Sequence, residues 1–133
     1  MNPILPPVVC TLFYFVIGQL NFQFSTAPSH LDKKKQLIYL GQFISLVHST
    51  LASSFCLLCY FVEGGVDYVT PTNDYHRWLM GNTIGYMTYD FLKAEYLGLY
   101  YLSLRLHHLF TCLALYSVYL SCLLYTSPSP RDS

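Results

Sequence analysis

Five ionisable side chains interrupt otherwise apolar stretches of this chain: His48, Asp90, Lys93 and the adjacent pair His107 and His108. Inside a membrane such a group costs roughly 2.5–3.5 kcal/mol, so each marks a candidate functional site. An imidazole can act as general base or acid, and a nearby carboxylate can orient or polarise it. Tyr86, Asp90 and Lys93 are spaced i, i+4 and i+7, which puts them on one helix face. Two readings of that face stay open. Asp90 and Lys93 neutralise each other, with Tyr86 donating a hydrogen bond to the carboxylate, or Asp90 serves a histidine on a neighbouring helix.

The histidine pair lies in "LRLHHLFT", residues 104–111. Neighbouring positions on a helix point about 100° apart, so one regular helix does not aim both rings at one ion. The number of ligands also falls short of a complete metal site. No metal or other cofactor is expected. Two roles fit the pair better: one ring facing the bundle interior as base or acid, the other orienting or capping. Both rings also suit a plain interfacial position near a helix end.

The elements that must position these residues follow from composition. Of 133 residues, 53% are apolar and 11% charged, against about 25% charged in ordinary globular chains. Mean hydropathy is +0.37. Formal net charge is zero and the seven Lys and Arg form no basic stripe, which excludes nucleic acid as a partner. An integral membrane protein is expected, all-α, with about four spans in a multipass transmembrane helical bundle. Lipid offers no partner to bare backbone, so the apolar runs must be helices.

The runs extend over Ile4–Phe24, Gln36–Val62, Trp78–Leu102 and Leu106 to about Leu120. The first lacks a basic flank and is long for a signal peptide; Ser25, Thr26 and Ala27 would permit cleavage, but an uncleaved helix is the better fit. Lys33, Lys34 and Lys35 between the first two runs mark the cytoplasmic side, as does Arg105, which puts the N-terminus in the lumen. The connection "EGGVDYVTPTNDYHR" reads as a lumenal loop. Gly81 and Gly85 form a small-residue motif for close helix contact within the bundle. Cys56-x-x-Cys59 has metal-knuckle spacing but no second pair, so it reads as apolar packing.

Three stretches resemble the TLC (TRAM–LAG–CLN) domain family of multipass membrane proteins: "FISLVHSTLAS" around His48, "GYMTYDF" around Asp90, and "LHHLFTCLALYSVYL" around His107 and His108. Their order and separation match too. The likeness covers about Lys33 to Leu120, the front half of such a domain. It is closer to the TLC-domain-containing branch than to the ceramide synthases, which carry a charged segment before the histidine pair where this chain has "YLGLYYLSLR". The resemblance implies residence in the endoplasmic reticulum or related membranes and work in lipid homeostasis, metabolism or transport. It makes His107, His108, Asp90 and His48 the catalytic candidates. Tyr86 and Lys93, on the helix face of Asp90, are the candidates for binding substrate. Membrane lipids are the implied partners, with acyl-CoA and a sphingoid base as candidate substrates. Alternatives are a ceramide-synthase-like N-acyltransferase and a non-catalytic, chaperone-like membrane module.

The chain thus divides into residues 1–32, a first transmembrane helix with the start of a loop; 33–121, a partial TLC domain; and 122–133, a tail of different character. Residues 122–132, "CLLYTSPSPRD", resemble one reading frame of a transposase adapter used to tag sequencing libraries. That resemblance implies a non-native tail after Ser121, with the family's later helices lying beyond it.

Overall fold

Helix α1 runs from Leu5–Phe24, α2 from Lys33–Glu63, α3 from Asp74–Leu97 and α4 from Leu102–Tyr125. These come from a computed structural model that describes residues 2, 4–63, 74–99 and 101–125. No strand occurs among the described residues, so the fold is all-α. The expected lumenal loop, over 64–73, and the end of the tail, over 126–133, lie outside them.

Local chemistry explains the helix ends. Pro6 and Pro7 occupy the first turn of α1, where a missing N–H costs no hydrogen bond. At its far end the Ser25 hydroxyl donates to Asn21 Oδ1 at 2.7 Å. Asp32 opens α2 by accepting the Lys35 backbone N–H at 2.8 Å, the interaction an N-cap supplies. This bond holds the Asp32 carboxyl below its ordinary range.

The third and fourth helices correct two expected boundaries. α3 stops at Leu97 rather than Leu102, and α4 begins at Leu102 rather than near Leu106. Gly98 adopts φ +62°, the left-handed conformation that glycine tolerates. The Gly98 N–H then donates to Glu95 O at 3.2 Å and the Leu99 N–H to Ala94 O at 3.0 Å. This is a Schellman cap, and Leu99 tucks in behind it. α4 also continues through Tyr125, past the expected end near Leu120.

Among the described residues, α1 and the stretch Lys33–Phe61 of α2 are long and apolar enough to cross a membrane. Few residues of either are buried, whereas a core helix of a soluble protein is mostly buried. Of the expected four spans, two thus meet the length and composition a span requires. α3 falls short because polar residues run along it, from Asp74, His76 and Arg77 at its start through Asn82 to Asp90, Lys93 and Glu95 in its last turns.

α3 is the hub of the bundle. It packs on α1, α2 and α4, while among the described residues the backbone of α4 approaches α3 alone. The α1 and α3 backbones come close at the two glycines. A Cβ on Gly81 would stand 2.6 Å from Pro6 Cβ, and one on Gly85 would stand 2.6 Å from Cys10 Cβ. The small-residue motif thus brings two helices of one bundle together, as expected. Tyr14, Ile44 and Tyr89 form the buried core between α1, α2 and α3.

Candidate functional site

α3 carries two polar clusters on adjoining faces. The first points at α1 and α2 and centres on His48. The Tyr14 hydroxyl donates to Asn82 Oδ1 at 2.6 Å and lies 3.3 Å from His48 Nδ1. Asn82 Nδ2 is 3.5 Å from the same nitrogen. The Tyr86 ring stacks flat on the imidazole, with centroids 4.1 Å apart and planes 4° from parallel. The Tyr86 hydroxyl meets Ser45 Oγ at 2.8 Å. Three helices thus converge on one imidazole. Because the Tyr14 proton is committed to Asn82, Nδ1 can itself donate to the Tyr14 oxygen when protonated.

The second cluster points at α4. His108 Nδ1 stands 3.6 Å from Asp90 Oδ2, with 12% and 20% of the two side chains exposed. The gap is slightly longer than a hydrogen bond but within ion-pair range once the ring is protonated. A carboxylate opposite Nδ1 favours a proton there and leaves Nε2 as the basic nitrogen. The pair is partly desolvated yet reachable, a combination suited to proton transfer. His107 points elsewhere. Its ring is exposed and meets His108 edge-on at 5.6 Å, the divergence expected of neighbouring helix positions.

Of the expected face Tyr86–Asp90–Lys93, the outer members turn toward α2 and the middle one toward α4. Lys93 places its ammonium 5.5 Å from the Tyr89 ring centroid. It reaches α2 at Gly41, where a Cβ would lie 3.5 Å from Nζ. Arg105 binds Glu95 with two guanidinium nitrogens, clamping the α3–α4 turn. At the same end Lys34 lies 5.2 Å from the Tyr101 ring centroid, so the lysine-rich start of α2 sits beside that turn.

Two members of the His48 cluster were not among the sequence candidates. Asn82 had a signal: a polar amide between Gly81 and Gly85, at a close helix contact. Tyr14 had none, being one of thirteen tyrosines. Among the described residues no group of three His, Cys, Asp or Glu side chains is placed to share a metal ion. Cys56 is exposed while Cys59 is buried. No protein-family model, curated protein or solved structure matches this chain.

Proposed function

We propose that this chain belongs to a multipass membrane protein of TLC type that acts in lipid homeostasis, with His108 and Asp90 as its reactive pair. The observation that carries the reading is the imidazole–carboxylate approach of 3.6 Å between two helices. Ionisable groups at membrane depth are expensive, and those retained line functional paths or pair with one another. The three sequence stretches of the TLC resemblance supply His48, Asp90 and His108 on three successive helices, which supports the same assignment.

In this reading all four helices cross the membrane of the endoplasmic reticulum, with the N-terminus in the lumen. Lys33, Lys34, Lys35 and Arg105 then lie together on the cytoplasmic side. The contact between Lys34 and Tyr101 supports that arrangement, because it joins the two basic stretches at one end of the bundle.

A second reading, N-acyl transfer, is favoured by the position of His108 two turns from that end. There Nε2 takes the proton of an amine as its nitrogen forms a bond to the thioester carbonyl carbon. The carbon–sulfur bond breaks, and the coenzyme A thiolate regains a proton and leaves as thiol. Acyl-CoA is the acyl donor and a sphingoid base the acceptor.

His108→Ala and Asp90→Asn in the full-length protein, expressed in cells lacking the native copy, test both readings. Folded variants that lose the wild-type lipid profile support the reactive pair. Loss of acyl transfer to a sphingoid base in membranes supports the enzymatic version. An unchanged lipid profile in both variants contradicts the proposal.

A further inference from the structure

Between α1, α2 and α3, on the side of the bundle where α1 ends and α2 begins, lies a cavity of about 540 Å³. Its walls include Phe15, Phe22, Leu37, Leu40 and Leu92, and Lys93 contributes the one cationic side chain. Asp90, one turn away on α3, approaches His108 on α4 and is not part of the wall, but its charge is near enough to act on the Lys93 ammonium, so an incoming anion shares that cation with it. Asn21, also in the wall, has its side chain committed to Leu40 O and to Ser25. The Lys93 ammonium reaches to the space left by the missing side chain of Gly41. A half-open, largely apolar pocket with one cation among the described residues, and with Gln19, Tyr89 and Tyr96 as further polar groups, is complementary to an amphiphile whose polar end is a single anion. The volume lies in the lower half of the ~300–1,000 Å³ range of small-ligand pockets, room for one hydrocarbon chain rather than two.

We propose that this cavity binds one fatty acid, its carboxylate against the Lys93 ammonium and its chain between Phe15, Phe22, Leu37 and Leu92. A charge-assisted contact in a poorly hydrated site is the strongest polar interaction the cavity can offer. The aromatic and aliphatic walls supply burial for the chain. The proposal is independent of the Asp90–His108 reading, since it concerns a different side chain, a different helix interface and binding without chemistry.

The test is saturable binding of tritiated palmitate to the intact protein in dodecylmaltoside micelles, with palmitate and methyl palmitate as unlabelled competitors. Methyl palmitate, which has the chain without the charge, should compete about 10-fold more weakly than palmitate. Lys93→Gln should weaken palmitate binding by about the same factor and abolish the difference between the two competitors. Lys93→Arg should restore binding to within about 3-fold, because it keeps the charge. Leu40→Trp, which fills the cavity, should weaken both competitors. Equal competition by palmitate and methyl palmitate on the unaltered protein overturns the proposal. So does a helical Lys93→Gln protein that binds palmitate as the wild type does. Should Lys93→Gln fail to fold, the competition on the unaltered protein alone decides.

Discussion

The two histidine clusters use the same residue types in different surroundings. Around His48, three helices close on the ring, and Tyr14, Asn82 and Tyr86 all touch it. Around His108, a carboxylate stands opposite one nitrogen, and among the described residues the backbone of α4 packs only on α3. A ring held by several directional partners is costly to move and has little freedom to meet a substrate. A ring beside one carboxylate at the edge of the bundle is oriented and still reachable. On the proposed reading, His48 serves chiefly packing specificity and His108 chemistry, even though sequence resemblance names both.

The contrast predicts a graded series of stability effects. Largest is Gly85→Val, since even one added Cβ meets Cys10 and the Thr11 backbone. Overpacking of this kind costs about 1–3 kcal/mol, read as a lower midpoint of helix loss on heating in detergent. Next is Asn82→Leu, which removes the acceptor of the Tyr14 hydroxyl and should cost about 1–2 kcal/mol. His108→Ala should cost about 0.5 kcal/mol or less by the same melt, because α4 is packed on one side only. Should His108→Ala prove as damaging as Asn82→Leu, the division into packing and reactive clusters fails.

The smallest effect is at the loop before α2. The Asp32 carboxyl sits below its ordinary 3.8 because it accepts the Lys35 N–H. Its contribution is therefore present above that ordinary value and fades as pH falls through the lower folded value. The protection factor of the Lys35 amide, its exchange rate relative to the unfolded chain at the same pH, should fall only in that acidic window. Asp32→Asn, which retains a capping side chain without the titration, should remove the pH dependence.

Much of this arrangement was legible in the chain itself. Apolar runs located α1 and α2 closely, because lipid-exposed backbone leaves helix as the economical choice. The divergence of His107 from His108 followed from helical geometry, and the glycine pair foretold the close α1–α3 approach. The end of α3 was hidden because Gly98 lies in an unbroken run of apolar letters, and its cap depends on backbone conformation rather than polarity. Tyr14 was hidden for another reason. Its neighbours Phe13 and Phe15 look equivalent in sequence, and only the tertiary contact with Asn82 singles it out. That Asp90 meets α4 while Tyr86 and Lys93 meet α2 likewise depended on which helix each face met, although Asp90 still acts on both through its charge.

The most direct test of the two-cluster account measures the lipid profile and the detergent melt of full-length His108→Ala and His48→Phe side by side. The account predicts that His108→Ala keeps the wild-type melt and loses the lipid profile. His48→Phe, which keeps a ring for Tyr86 to stack on, should melt lower and retain that profile in proportion to the folded protein present. The reverse pattern, a normal lipid profile with His108→Ala and a lost one with a fully folded His48→Phe, would contradict it.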